Sequence, residues 1–169
     1  LLSYPDFRVN ERVFQLLEQV SGRAGRKNDI GNVFIQLFKT HHPTILHVKE
    51  HDYLGFYKDE IEARKEFQYP PFTRLLRIVL KHKNQDTVLF AAQKLAQDIS
   101  SLPRTILFGP AEPPIARIRN QFIQEILLKI NRDTNIMQEI KRIVKEKIVQ
   151  LNTTKNYSTV QVILDIDPY

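Results

Sequence analysis

The string Gln19-Val20-Ser21-Gly22-Arg23-Ala24-Gly25-Arg26 is the part of this chain whose residue types and spacing point most specifically to chemistry. It sets two arginines three positions apart, each preceded by a glycine. A guanidinium is a planar fork that meets phosphate oxygens through paired hydrogen bonds, which a lysine ammonium cannot copy. Phosphoryl transfer spreads negative charge over the γ-phosphate oxygens, and an inserted arginine stabilises that charge. The glycines let the backbone turn tightly and come close to a neighbour. The plainer reading is a helix end followed by a basic loop that meets solvent or an acidic neighbour, and short Gly/Arg strings also arise by chance.

A second set of basic residues suits DNA. Arg117 and Arg119 alternate in the proline-rich loop GPAEPPIARIRN, a hairpin-like geometry able to present two guanidinium groups to adjacent phosphates. Arg74, Arg77, Lys81 and Lys83 would extend that surface along a strand, although their periodicity equally suits an ordinary solvated face. Lys141, Arg142, Lys145 and Lys147 fall on the polar side of a helix, where solvation explains them. Arg132 is a candidate for holding an acidic partner tail. Tyr69 and Phe72 could stack on bases, but beside Pro70 and Pro71 they read better as hydrophobic anchors. His41, His42, His47 and His51 lack an H-E-x-x-H arrangement and a carboxylate at third-ligand spacing, so no metal site is expected among them. Asp165 and Asp167 flank Ile166 and read as an acidic strand end.

These residues need elements to hold them. Asn10 can cap a helix with Val13, Leu16, Leu17 and Val20 on its stripe, and Gly22 is expected to break it, leaving the Gly/Arg string at a helix end. Val33 to Phe38 reads as a buried strand and Pro43 as the first turn of a short helix. From Asp52 to about Phe67 a helix places Tyr53, Phe56, Tyr57 and Ile61 together, and the double proline ends it. Beyond Phe72 the pattern is strand, helix, strand, strand, helix, strand. Leu76, Ile78 and Leu80 share a strand face; a helix follows Asp86 as its cap; Thr105–Phe108 is a short strand; Phe122 to Ile130 is a long one. A helix carrying Ile136, Ile140, Ile143, Val144 and Leu151 precedes a last strand, Thr159–Ile166. This βαββαβ order is the ferredoxin-like, split βαβ plan.

At 169 residues and 42% hydrophobic the chain can bury a core. It has no uninterrupted apolar run of about 18 residues and no signal-peptide start, so neither membrane spanning nor secretion is expected. With no cysteine it holds no disulfide or thiolate metal site, which suits the cytoplasm. It opens on Leu1 with Met137 as its one methionine, so a longer parent protein is expected. Residues 1–71 carry 10 Lys+Arg and 10 Asp+Glu, leaving 15 and 9 of the totals of 25 and 19 to residues 72–169. The whole excess of +6 therefore lies in the second half, where a polyanion such as DNA or an acidic protein tail is the natural partner.

The Gln19–Arg26 string resembles motif VI of superfamily 2 helicases, Q-x-x-G-R-x-G-R. Around it, LLSYPDFR, GNVFIQLF, HHP followed by DYLGFY, EARKEFQYPPF, GPAEPPIARIRNQFIQEILLKI and the closing LDIDP resemble, in order, the primosomal protein N′ (PriA) family of bacterial replication-restart helicases. The resemblance implies an α/β chain in which residues 1–50 end the second RecA-like helicase lobe, 51–71 form a helical connector, and 72–169 are a basic ferredoxin-like domain similar to a small-subunit ribosomal protein. It implies Arg26 as the arginine finger, Arg23 as a second phosphate contact or interlobe ion pair, and Gln19 as a γ-phosphate sensor. Members of the family unwind DNA 3′ to 5′ with ATP and magnesium, recognise branched forks, help load the replicative helicase and bind the acidic tail of single-stranded DNA-binding protein. Their zinc cysteines and P-loop lie upstream. No G-x-x-x-x-G-K-[ST] occurs here, so this segment alone is expected to hold no cofactor and to be inactive. A different class remains open: a non-catalytic nucleic-acid-binding or ribosome-associated module, which gives the Gly/Arg string no task.

Overall fold

Short helices are marginal in water by themselves, so those of the first half persist by packing their apolar sides on one another. The computed structural model describes residues 6–24, 32–37 and 41–168 and divides into two units, Leu1–Phe67 and Gln68–Tyr169. In the first, α1 (Val9–Ala24), α2 (Pro43–Glu50) and α3 (Tyr53–Glu66) meet around Phe14, Val48 and Phe56. The Phe14 and Phe56 rings stack with centroids 4.3 Å apart. Arg64 ties α3 to α1, reaching Glu11 at 2.8 Å and Glu60 at 3.0 Å. Pro43 opens α2 as expected, and Asp52 caps α3 by accepting the Gly55 amide at 2.9 Å.

Several local expectations fail in this unit. Gly22 does not break α1, which continues to Ala24; a glycine inside a helix costs only about 1 kcal/mol relative to alanine. Asn10 lies inside the helix rather than at its cap, and Asp6 accepts the Arg8 amide at 2.9 Å instead. On the expected stripes Val13 and Phe56 are buried, but Leu16, Val20, Tyr53 and Tyr57 are exposed. The run 33–37 is not a strand, and Phe34 is 93% exposed. β-propensity is local, whereas a strand exists only beside a partner, and no strand among the described residues pairs with this run. Phe38 lies outside the described residues.

The second unit is a mixed α/β body with a five-stranded sheet. Its elements run β1 (Thr73–His82), α4 (Gln85–Asp98), β2 (Thr105–Ala111), β3 (Arg117–Ile118), β4 (Gln121–Asn131), α5 (Thr134–Thr153) and β5 (Gln161–Ile166). The sheet order is β2-β4-β1-β5, each pair antiparallel, with β3 folded onto β4. Strict alternation decides which face each strand buries. Leu76, Ile78 and Leu80 of β1, Ile126, Leu128 and Ile130 of β4, Leu95 of α4 and Ile140 and Val144 of α5 are all 0% exposed and share one core.

The other face of β1 is more covered than its alternation with Arg77 and Lys81 suggests. Leu75 and Val79 are buried there too. Helix α4 is capped by Asn84, whose Oδ1 accepts the Thr87 amide at 2.8 Å; the expected cap Asp86 sits in the first turn. At the bulge between Phe108 and Ala111, Gly109 has φ +94 and a Cβ there would stand 2.6 Å from the Glu125 carbonyl oxygen, so only glycine fits.

Candidate nucleic-acid interface

Placing a basic residue on an element decides whether its charge remains available to a phosphate or is spent inside the protein. In the first unit Gln19 and Arg23 lie one helical turn apart on α1, both exposed, so they share a face. Open space surrounds the Cβ direction of Gly22, which leaves the helix backbone approachable between them. Arg26 lies outside the described residues.

In the second unit, the expected basic stripe along β1 is largely consumed by acids that the register brings alongside. Arg74 is bound by Asp167 at 2.5 Å and Arg77 by Asp165 at 2.7 Å, with Glu125 at 3.8 Å from Arg77. The pair with Asp167 raises the Arg74 pKa above its ordinary value, so that guanidinium stays charged. Asp165 and Asp167, read from sequence as an acidic strand end, are thus the counter-ions of β1. Lys81 is half-buried on the face of Arg77, and Lys83 is exposed beyond the strand.

The hairpin expected around Arg117 and Arg119 is present. Arg117 and Ile118 pair with Phe122 and Gln121, and Arg119 and Asn120 form the two-residue turn, both in left-handed backbone at φ 48 and 63. Arg117 stands 4.8 Å over the Phe122 ring and donates to Asn120 Oδ1. Both arginines are exposed. Elsewhere Arg142 is paired with Glu146 at 2.7 Å on α5, and Arg132 is exposed, 3.4 Å from the Pro71 carbonyl.

One feature escaped sequence reasoning. Lys129, on the outer face of β4, is only 7% exposed, and its ammonium lies 3.6 Å from the Tyr69 ring centre and 5.1 Å from that of Phe108. Burial lowers its pKa, and the two rings offset part of that cost. Tyr69 is therefore committed to Lys129. From sequence Lys129 is a lysine at an outward-alternating position of its strand, which reads as solvated and gives no sign of the rings that cover it.

Two of the histidines contact carboxylates, and among the described residues no group of three His, Asp or Glu is placed to hold a metal ion. His47 contacts Asp59 at 3.0 Å and Asp52 at 3.2 Å, while His51 contacts Glu18 at 3.1 Å. The hydrogen bond to Asp59 chiefly raises the His47 pKa above 6.5, against the opposing effect of burial. The Gly55 amide chiefly holds Asp52 below 3.8. The His47 contribution to stability is full below pH 6.5 and fades as pH rises through its raised value; that of Asp52 is full above pH 3.8 and fades as pH falls through its lowered value. Stability of the first unit against denaturant should therefore fall as pH rises above 6.5 in the wild type and not in His47→Gln. Equal slopes in the two would remove this cluster from the pH response.

A family model described as the primosomal protein N C-terminal domain matches residues 65–169. Replication restart protein PriA of Bacillus subtilis (strain 168) is 35% identical over 173 residues, covering 99% of this chain and 21% of that protein. The protein of the same name from Chlamydia trachomatis is 36% identical over 171 residues, covering 99% of this chain and 22% of its own length. That from Chlamydia pneumoniae is 48% identical over 82 residues, 48% of this chain and 11% of its own. The chain thus spans about a fifth of the first two relatives. Among solved structures, a hydantoinase/carbamoylase family amidase from Burkholderia ambifaria aligns at TM-score 0.39 and 15% identity over 56% of this chain and 27% of its own, too weakly to carry an argument.

Proposed function

Because the chain belongs to the primosomal protein N C-terminal domain family, we propose that it is the C-terminal part of an ATP-dependent 3′-to-5′ DNA helicase. That helicase recognises stalled or branched replication forks and initiates primosome assembly for replication restart. The observation that carries this reading is the alignment of 99% of the chain with replication restart proteins, together with the Gln19–Arg26 string inside it. Residues 1–50 then complete the second RecA-like lobe, with Arg26 as arginine finger, Arg23 as a second phosphate contact or interlobe ion pair and Gln19 as γ-phosphate sensor for the ATP and magnesium of the whole protein. The second unit is a ferredoxin-like domain: the order β2-β4-β1-β5 and two helices sharing one core support that plan.

Zinc belongs to the upstream part. This chain supplies no cysteine and, among the described residues, no cluster that fits the ion. No helix of the described residues is long and apolar enough to cross a membrane, in keeping with work on DNA in the cytoplasm. Partners are forked and single-stranded DNA, other primosome proteins, and the acidic tail of single-stranded DNA-binding protein, for which Arg132 is exposed.

Among the named DNA candidates, Arg117 and Arg119 present the strongest case, because Arg74 and Arg77 must first leave their carboxylates. The test is binding of this chain to a fluorescent fork across a salt series, with the Arg117→Ala/Arg119→Ala double variant alongside. The double variant should bind more weakly, and its salt slope should fall by up to about two phosphate contacts. A slope that does not change takes the hairpin out of the DNA site. No fork binding at low salt assigns the second unit to protein docking, the acidic tail being the first ligand to try.

A further inference from the structure

The β3–β4 hairpin carries more than two cations. Its turn places an arginine, Arg119, at a left-handed position where glycine, asparagine or aspartate would be less strained. A local choice that conflicts with the backbone it occupies is the kind of departure that function explains. Arg117, opposite Phe122, is held over that ring and bonded to Asn120, so its guanidinium is fixed in place before any ligand arrives. Ile118 pairs with Gln121 and therefore points to the other side of the hairpin, where it is 45% exposed; Ile115, on the approach to β3, is 64% exposed. An isoleucine at a tight two-residue hairpin tip beside the held Arg117 guanidinium is poorly explained by phosphate contact alone, because phosphates give an apolar side chain nothing to bury against.

Base pairs do. Apolar side chains set between base steps part them, while neighbouring arginines hold the backbone. Resting on the reading of the second unit as a DNA-engaging domain, we propose that this hairpin is a wedge that places Ile118 against the end base pair at the junction between duplex and single strands. Arg117 and Arg119 grip the phosphates on either side. The strands part at that pair because a fork already lacks one stacking neighbour there, so unstacking costs least at the junction.

The test uses the whole chain and a synthetic fork carrying 2-aminopurine at the junction pair, with a second fork carrying it about one helical turn inside the duplex. Wild-type protein should raise emission at the junction about twofold, the signature of a base leaving its stack, and leave the interior probe unchanged. Ile118→Thr keeps a β-branched residue in the strand. It should abolish the rise while leaving fork affinity and salt slope within about twofold of wild type. Ile115→Ser, outside the ladder, checks the same surface without touching strand pairing. A fork that is bound with no junction signal, or an Ile118→Thr variant that keeps the signal, overturns the wedge and leaves DNA binding standing. Failure to bind any fork overturns the DNA reading and the wedge together.

Discussion

In a full-length member of this family, replacing the arginine at position 26 of this chain by alanine should cut ATPase turnover by about 10³-fold or more and leave DNA affinity nearly intact. The expectation rests on charge. As the γ-phosphoryl group departs, its oxygens gain negative charge that a paired guanidinium contact stabilises and a water-filled gap does not. Helix α1 runs as far as Ala24, so it delivers Arg23 in its last turn and the chain reaches Arg26 two residues later. Arg26→Lys should rescue little, since an ammonium cannot make the paired contact. Arg23→Ala, at the exposed end of α1, separates a finger from a general loss of basic charge: the two variants should differ in turnover while agreeing in DNA affinity. Loss of ATPase and DNA binding together in Arg26→Ala would point to a misfolded lobe and sink the assignment.

The second unit should lose about 2–5 kcal/mol of stability on Leu76→Ala. Leu76 is 0% exposed on a central strand of the sheet, between β4 and β5, and its side chain belongs to the core shared with α4 and α5. Removing it costs the transfer of the lost methylenes and leaves a cavity that a close-packed sheet cannot collapse around. Val149 of α5, 63% exposed, is the control, and Val149→Ala should change the unfolding free energy read from urea titration by less than about 0.5 kcal/mol. Equal losses from the two variants would mean that the core lies elsewhere.

What was legible from sequence follows from how far each cause acts along the chain. The alternation Leu76, Ile78, Leu80 and the stripe of α5 repeat over many residues, and the structure buries Leu76, Ile78, Leu80, Ile140, Val144 and Leu151 while Ile136 and Ile143 are only partly covered. Caps and breaks are single-residue decisions and were less legible. Asn84 and Asp86 are both good caps two positions apart, and the strand exit at His82 favours the first. Gly22 reads as a stop, but a glycine costs a helix only about 1 kcal/mol relative to alanine and α1 continues to Ala24. The basic stripe on β1 was misleading for a different reason. Arg74 and Arg77 find their acids 93 and 88 positions away, a pairing that only the sheet register creates. The cover over Lys129 was hidden for the same reason, since Tyr69 and Phe108 come from separate segments. The Gly/Arg string needs no such long-range partner to be noticed, being eight consecutive residues, and its task stays a proposal.

The ladder between β1 and β5 also governs when the second unit can become complete. Arg77 and Asp165 stand opposite each other across 88 positions of chain, so this is a contact of high order: a large loop must close before the pairing returns any energy. β1, α4, β2 and β4 can assemble as they leave the ribosome, but the outer edge of β1 stays unladdered until Ile166 has emerged. A nascent chain halted before β5 would display the long hydrogen-bonding edge of β1 to its neighbours, an edge that β5 covers in the finished domain.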